Sequence, residues 1–167
     1  GDLFTTRVET QLTELFETEL TAFLVATGTA ANALALSVMT PPYGAVLCHW
    51  NSHIFEDECG APEFFTGGAR MVPVDGPDGK VDLQDLAIKA ARGAGDVHML
   101  QPSAASITQV TEIGSLYTVN EIAAVADVCR SHKLKLHMDG ARFANAVVAL
   151  GCTPAEIRSV SVNDVLY

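Results

Sequence analysis

The sequence alternates short apolar runs with segments of helical periodicity, and this alternation constrains the fold more than any other feature. Strands are predicted over residues 23–26, 45–49, 69–74, 97–100 and 134–138, with a further one beginning within 160–166. Helices are predicted over residues 5–20, 30–39, 54–60, 83–91, 119–132 and 142–150, with a short one opening at 154. Such alternation is typical of βαβ crossovers, which join parallel strands. We therefore expect an α/β fold, a mostly parallel sheet with helices on both faces.

Local side-chain chemistry predicts several element boundaries. Thr118 and Glu121 match a capping box, in which a hydroxyl and a carboxylate each serve a backbone N–H of the first helical turn. Asp82 has the side chain of an N-cap, and Gly151 is placed to end a helix. Residues 75–79 are a strong turn signal because Gly and Pro supply its backbone angles. Residues 102–116 show no clear period, and no linker divides the chain.

The charge of the chain argues against two classes of partner. The formal net charge is −10 and the sequence pI is near 4.7, whereas a nucleic-acid partner requires a basic surface. No run of Lys and Arg is present that would bind a membrane surface. The longest apolar stretch, residues 30–39, is shorter than the roughly 18 residues that a membrane span needs.

The composition is apolar, with 49% hydrophobic and 18% charged residues. We expect a sheet that is buried on both faces and, in addition, a surface that meets a partner or a further domain. The four cysteines are widely spaced and form no C-x-x-C motif. They are predicted to be buried, reduced thiols of a cytosolic protein, namely Cys48, Cys59, Cys129 and Cys152.

Polar residues follow several predicted strands, at 27–29, 51–53, 101–103 and 139–142. Ligands of open α/β sheets bind at the carboxyl ends of the strands, so we expect one shared crevice. Gly28 and Thr29 open a helix, where free N–H groups and the helix dipole favour an anion. The other interpretation of this pair is a tight turn with Thr29 as N-cap.

Asp139 ends a predicted strand, where a carboxylate is able to pair with a cationic nitrogen heterocycle. Its alternative role is to cap the next helix. Arg142 follows three residues later, and its guanidinium is suited to bind a substrate carboxylate in a bidentate manner. A surface salt bridge is the alternative for Arg142.

His53 follows a predicted strand, where an imidazole is suited to stack on a flat cofactor or to move a proton. Its alternative is a hydrogen-bonded structural role. His49 and His53 are four residues apart, with Asp57 beyond, but His49 is predicted on the strand. The two rings would then not share a helical face, so no metal site is expected.

Taken in chain order, these residues resemble the threonine aldolases and related β-eliminating lyases, which are fold-type I enzymes dependent on pyridoxal 5′-phosphate (PLP). The similarity covers nearly the whole chain. It is carried by residues 26–32 (A-T-G-T-A-A-N), 52–54 (S-H-I), 81–83 (V-D-L) and, most specifically, 134–146 (L-K-L-H-M-D-G-A-R-F-A-N-A).

The resemblance implies a role for each site residue. Gly28 and Thr29 hold the PLP phosphate, His53 stacks on the ring and assists the base chemistry, Asp139 pairs with the ring nitrogen, and Arg142 binds the substrate carboxylate. The implied reaction cleaves L-threonine-like β-hydroxy amino acids, such as threonine or phenylserine, to glycine and an aldehyde. The implied assembly is a homodimer or homotetramer with shared active sites.

The sequence departs from the family in two places. Residues 1–167 are expected to lack the Schiff-base lysine of the family, since Lys133 and Lys135 do not match its position, and to lack its small C-terminal domain. Residues 1–167 are therefore expected to be part of a PLP-binding large domain. Residues 103–109 hold no His, whereas many threonine aldolases have a catalytic His in this loop. This places the chain near a phenylserine aldolase-like subgroup and leaves substrate and stereochemistry open. Another β-eliminating PLP lyase and a catalytically inert truncated subunit remain alternatives.

Overall fold

Five parallel strands form one sheet in the computed structural model, which describes residues 2–161 and the backbone of residues 165–166. The strands are β1 (Gly44–His49), β2 (Arg70–Val74), β3 (Gln101–Thr108), β4 (Lys135–Asp139) and β5 (Val165–Leu166). Their order across the sheet is β2-β1-β3-β4-β5, and every neighbouring pair is parallel. The predicted α/β fold with a parallel sheet is confirmed.

Helices cover both faces of this sheet, as predicted. They are α1 (Leu3–Phe16), α2 (Gly28–Met39), α3 (His53–Glu56), α4 (Ala61–Phe65), α5 (Leu83–Ala91), α6 (Val119–His132), α7 (Phe143–Leu150) and α8 (Pro154–Val160), with a 3-10 turn at Pro77–Gly79. Because successive strand side chains point to opposite faces, β1 serves two cores. Val46 and Cys48 pack with Leu36 of α2, whereas Leu47 joins the core beneath α5, α6 and α8.

The connections between strands reverse direction around β1 and β3. From β1 the chain moves outward to β2, returns across β1 to β3, and then continues outward to β4 and β5. The carboxyl ends of β1 and β3 therefore flank a topological switch point, where open α/β sheets form their binding crevices. The segments that follow these two strands, together with the end of β4, are placed to line that crevice.

The predicted helix boundaries agree with the structure where they rested on capping chemistry. Thr118 and Glu121 form the capping box of α6, and the Asp82 carboxylate accepts hydrogen bonds from two backbone N–H groups of α5. Gly151 ends α7 in the left-handed conformation, with φ of 63°. Thr153 and Glu156 form a second capping box, which was not predicted.

The strand predicted over residues 23–26 is wrong. No strand forms there, and the Phe23 side chain is 74% exposed. Apolar content signals burial, but the side chains of Phe23 and Leu24 are mostly exposed. This segment lines an apolar cavity of about 1040 Å³ with residues of α1, α2, β4, α7 and α8, and that cavity contains none of the predicted site residues.

The strand predicted over residues 97–100 is also wrong, because β3 begins only at Gln101 and Val97 is 91% exposed. The Gln101 amide explains the difference. Its Nε2 donates to the carbonyls of Gly93, Asp96 and Met99, each at 2.9 Å, and its Oε1 accepts from a backbone N–H of the same loop. A side chain, instead of a neighbouring strand, satisfies the backbone of this segment.

Other element boundaries shifted for identifiable backbone reasons. The helix predicted over 54–60 is two short helices, α3 and α4, separated where Cys59 and Gly60 have positive φ angles of 50° and 74°. Helix α1 ends at Phe16, four residues early, because Glu17 is left-handed. Residues 162–164 of the strand predicted within 160–166 lie outside the described residues, and Val165–Leu166 pairs with β4.

The four cysteines are free thiols, but they are not all buried as predicted. Cys48 and Cys129 are buried, Cys152 is half-buried and Cys59 is exposed. Burial raises the pKa of the Cys48 thiol to about 12, so it is inert at neutral pH. Within the described part of the chain, every helix is too short or too polar to cross a bilayer.

Replacing Tyr117 by Phe is expected to destabilise the protein. The buried Tyr117 hydroxyl accepts a hydrogen bond of 2.8 Å from the Val81 N–H, which the variant leaves buried and unpaired. We expect the free energy of unfolding to fall by about 1–3 kcal/mol in urea titrations. Tyr43→Phe, at an exposed position, is the matched control. Equal stabilities of the two variants would contradict a structural role for the Tyr117 hydroxyl.

Candidate functional site

Four polar side chains from three parts of the chain form one connected network at the carboxyl edge of the sheet. Asn32 of α2 donates from Nδ2 to Asp139 Oδ2 at 3.2 Å and to Glu58 Oε1 at 2.7 Å. The same Glu58 oxygen lies 3.0 Å from Nδ1 of His53. Asp139 and His53, which are 86 residues apart in sequence, are thereby joined through two intermediates.

The burial of this network is uneven. The side chains of Asn32, Glu58 and Asp139 are all buried, and Glu58 is completely so, whereas His53 is 39% exposed. Three fixed groups therefore support one accessible imidazole. Glu58 Oε2 and Asn32 Oδ1 have no hydrogen-bond partner among the described residues, so the network has unused acceptors facing its interior.

Asp139 is a buried carboxylate without a cationic partner. Its Oδ1 accepts from the Ala141 N–H at 3.0 Å and its Oδ2 from Asn32. Among residues 2–161, no Lys, Arg or His side chain lies within ion-pair distance of it. Burying an anion without a cation is costly, so this position is suited to receive a cationic group of a ligand.

The amino end of α2 lies one helical turn from this carboxylate. Thr27, not Thr29, is the N-cap, because its hydroxyl accepts from the Ala30 N–H at 3.1 Å. The Thr27 carbonyl accepts a hydrogen bond from the Ala31 N–H. The backbone N–H groups of Gly28 and Thr29 have no acceptor among the described residues. Three residues of helix separate Thr29 from Asn32, a rise of about 4.5 Å. Anion-binding donors and a buried carboxylate thus lie on the same side of the sheet.

His53 begins α3, four residues after the end of β1. Burial lowers the pKa of His53, but the hydrogen bond to Glu58 and the charges of Glu58, Glu112 and Asp139 outweigh it, and the net pKa is raised above the ordinary value. The imidazole is therefore an accessible base in an acidic environment. His49, by contrast, uses both ring nitrogens on backbone groups of Asn51 and Gly76.

Metal-ligand geometry is missing from the part of the chain that the structure describes. No three side chains of His, Cys, Asp or Glu come close enough there to hold an ion. The bonds of His49 explain why it does not combine with His53 in this way, although His49 ends β1 and His53 follows four residues later.

Arg142 lies next to the network but is already paired. Its guanidinium makes two hydrogen bonds to the Glu112 carboxylate, at 3.2 and 2.9 Å, and Arg142 is itself the N-cap of α7 instead of a residue in its first turn. The side chains are 44% and 19% exposed, respectively. The alternative of a part-exposed salt bridge is therefore realised, and a substrate carboxylate would have to replace Glu112.

The His-free segment 103–109 is mostly strand β3 and serves packing. Gln109 is fully buried, and its amide donates to and accepts from the backbone of Tyr117. The Ser106 hydroxyl forms a buried hydrogen bond of 2.8 Å with Nδ1 of His137. This segment brings no exposed acid or base to the crevice, whereas the residues just after it supply Glu112.

The sequence did not identify Glu58 and Glu112 as site residues. Glu58 follows His53 by five residues, which is neither a helical nor a strand spacing, and the break between α3 and α4 returns it beneath the imidazole. Asn32 was present in a motif but had no assigned role. No regular spacing therefore marks His53 and Glu58 as a pair in the sequence.

Comparison with known proteins places these residues in context. The chain matches the family described as β-eliminating lyase over residues 1–167. It is 42% identical over 168 residues to a low specificity L-threonine aldolase of Pseudomonas sp. (strain NCIMB 10558), covering 99% of this chain and 47% of that protein. The chain thus spans about half the length of this relative.

Solved structures show the same relationship. A threonine aldolase of Leishmania major superposes with a TM-score of 0.85 at 30% identity, over 93% of this chain and 46% of that one. Cystalysin of Treponema denticola, which contains pyridoxal 5′-phosphate, superposes with a TM-score of 0.59 at 15% identity, over 84% of this chain and 35% of that one. At that identity the second likeness shows the fold alone.

His137 makes the stability of the protein depend on pH. Its complete burial lowers its pKa to about 4, against an ordinary 6.5, although the charge of Asp139 opposes the shift. The unfolded chain therefore binds one more proton between these values, and stability falls as the pH drops from 6.5 to about 4. The loss reaches about 3 kcal/mol.

We expect the His137→Asn variant to lack this component when its unfolding free energy is measured at several pH values. His98→Asn, which changes an exposed histidine, should retain the wild-type slope. The same slope in all three proteins would show that His137 does not titrate as its burial implies.

Proposed function

The chain belongs to the β-eliminating lyase family, and from this premise we propose that it is part of a PLP-dependent carbon–carbon lyase. The proposed reaction cleaves L-threonine-like β-hydroxy amino acids, such as threonine or phenylserine, to glycine and an aldehyde. The observation that carries the proposal is the hydrogen bond between Asn32 and Asp139. It brings the amino end of α2 close to a buried carboxylate that has no cationic partner among the described residues. The name of the Pseudomonas relative supports the substrate class.

The residues present fit PLP. We assign the phosphate to the backbone donors of Gly28 and Thr29, where a dianion meets the positive end of the helix dipole. Asp139 receives the protonated ring nitrogen, since it is buried and has no other cation. His53 lies at the accessible end of the network, joined to Asp139 through Glu58 and Asn32, and is assigned to the ring face.

When bound, PLP supplies an electron sink for the bond that breaks at the substrate Cα. The other tasks fall to side chains of this chain. His53, accessible and held from below, takes the proton of the substrate β-hydroxyl at a ring nitrogen. Arg142 binds the substrate carboxylate in a bidentate manner, which fixes the amino acid relative to His53. Both roles depend on groups that α3 and the start of α7 hold in place.

We infer from the family resemblance that the lysine to which PLP would be attached covalently lies outside residues 1–167. The chain has four lysines, Lys80, Lys89, Lys133 and Lys135. Lys80 and Lys89 are engaged in ion pairs with glutamate and aspartate side chains. Lys135 begins β4, about 13 Å along the strand from Asp139 at 3.3 Å per residue. We therefore propose that residues 1–167 form part of a PLP-binding large domain, consistent with the greater length of the Pseudomonas relative.

Assembly and location complete the proposal. A homodimer or homotetramer with shared active sites, acting on amino acids in the cytoplasm, agrees with the family resemblance. Large apolar side chains are exposed on several elements, as at a surface that a partner covers: Phe4, Phe23, Leu24, Phe64 and Val148. Sedimentation of the complete gene product measures the assembly state directly.

One alternative is elimination on the same scaffold. The Gln109 amide is hydrogen-bonded to the Tyr117 backbone, and segment 103–109 contains no His that would assist cleavage of the Cα–Cβ bond. Product analysis with threonine, phenylserine and a β-substituted amino acid separates the two reactions, since cleavage releases glycine and elimination releases ammonia. An inert truncated subunit is the other alternative, and the intact mass of the expressed protein decides it.

Replacing Asp139 by Ala is expected to abolish the yellow absorbance of PLP bound to the complete gene product. The variant removes the anion that keeps the ring nitrogen protonated, so aldolase activity should fall at least about a hundredfold. Asp75→Ala is the matched control, because Asp75 is also an acid directly after a strand but is exposed. Full colour and activity in the Asp139 variant would refute the assigned role.

Replacing Glu112 by Gln is expected to lower the KM for threonine. The variant removes the carboxylate that competes with substrate for Arg142, and a part-exposed ion pair of this kind contributes up to about 1 kcal/mol, equivalent to about a fivefold change. Arg142→Lys should raise KM, since it loses the bidentate contact. A higher KM in the Glu112 variant would show instead that Glu112 orients Arg142 and is not displaced.

A further inference from the structure

We propose that Glu58 is a positioning residue that fixes the proton of neutral His53 on Nδ1 and so leaves Nε2 as the atom that exchanges protons with the substrate. This inference rests on the proposed function, because that function defines the substrate with which Nε2 exchanges protons. The pairing itself, however, is a property of residues 53–58 and of Asn32. It is argued from the contacts of one buried oxygen, Glu58 Oε1.

Glu58 Oε1 is held by two groups that face it from different elements. Asn32 Nδ2 lies 2.7 Å away and His53 Nδ1 lies 3.0 Å away. An ionised carboxylate accepts hydrogen bonds and donates none, so both neighbours must present protons to it. Neutral imidazole has one N–H, and placing it on Nδ1 leaves the lone pair on Nε2.

The orientation of the Asn32 amide supports an ionised Glu58. Nδ2 has two N–H groups, and it lies within hydrogen-bond distance of Glu58 and of Asp139 at the same time. Rotating the amide by 180° would set its carbonyl oxygen against both carboxylates and remove the hydrogen bond that each accepts from Asn32. With Nδ2 between them, the two buried carboxylates share one neutral donor group.

The location of His53 makes this arrangement more than a structural contact. Its ring is partly exposed at the crevice, whereas Glu58 is completely buried behind it. Nδ1 thus faces the buried Glu58 carboxylate, and the opposite edge of the ring, which carries Nε2, faces the crevice. A buried carboxylate that orients an accessible imidazole is also the arrangement by which catalytic triads select the reactive nitrogen.

The acidic groups around His53 also set its proton affinity. Glu58 acts through both a hydrogen bond and its charge, and Glu112 from the loop after β3 and Asp139 from β4 act through charge. Together they outweigh the effect of burial and raise the pKa of His53. Because Glu58 is the group in direct contact, removing its charge should move the pKa of His53 further than removing any distant charge.

The first test uses the wild-type complete gene product loaded with PLP and labelled with ¹⁵N in its histidines. The His53 signals are identified by their loss in a His53→Ala variant. Above the pKa of His53, we expect Nδ1 to resonate as a protonated nitrogen and Nε2 as an unprotonated one. A proton on Nε2 in the neutral ring would overturn the proposal, whatever the state of the catalytic assay.

The second test compares Glu58→Gln with Glu56→Gln, which removes an identical charge from an exposed position two residues away. In the Glu58 variant, the pKa of His53 should fall by about one pH unit or more. The acidic limb of the kcat profile should move to lower pH with it, because His53 acts in its neutral form. We expect kcat to fall by about 10- to 100-fold, less than the loss of a general base itself.

The bound PLP separates failure of this inference from failure of the proposed function. In Glu58→Gln, the PLP absorbance and the KM should stay within about twofold of wild type, as Asp139 and Arg142 are unchanged. An unshifted His53 pKa in a folded variant would refute the role of Glu58. If the variant does not fold, the His53 tautomer measured in the wild-type protein decides whether the proposal holds. A wild-type protein that binds no PLP would instead refute the proposed function.

Discussion

The geometry of the site depends on one neutral amide between two buried carboxylates. Asn32 donates to both Glu58 and Asp139, which belong to different parts of the chain. Two carboxylates buried close together repel each other, and a Lys or Arg between them would neutralise one of the two charges and weaken the demand for a further cation. A neutral donor holds both in place and leaves that demand unmet. The amide therefore positions the acids without neutralising them.

The parallel sheet explains why these particular residues meet. In a parallel sheet all carboxyl ends lie on one edge, and the reversal of direction around β1 and β3 opens a crevice there. The segment after β1 brings His53 and Glu58, the loop after β3 brings Glu112, and β4 ends in Asp139. Helix α2 packs on the face to which Asp139 points, so that Asn32 is within reach.

Much of this arrangement was predictable from sequence, and the reasons are local. Asp139 and His53 follow strongly apolar strands, and Thr118 with Glu121 fixes a helix start by chemistry within four residues. What the sequence did not predict depends on contacts that follow neither the helical nor the strand spacing. The Gln101 amide satisfies a loop that was taken for a strand, and the left-handed residues at 59 and 60 return Glu58 to His53. Neither leaves a periodic signal.

The balance of charge around the crevice argues for the kind of ligand that completes it. Glu58, Glu112 and Asp139 supply three carboxylates, and they face one guanidinium, that of Arg142, and one imidazole. Glu112 neutralises Arg142, and Glu58 stabilises the protonated form of His53. Asp139 then remains as a buried anion bonded only to neutral N–H groups. A ligand with a cationic ring nitrogen at one end and an anion at the other satisfies both Asp139 and the free donors of α2, which neither a simple cation nor a simple anion does.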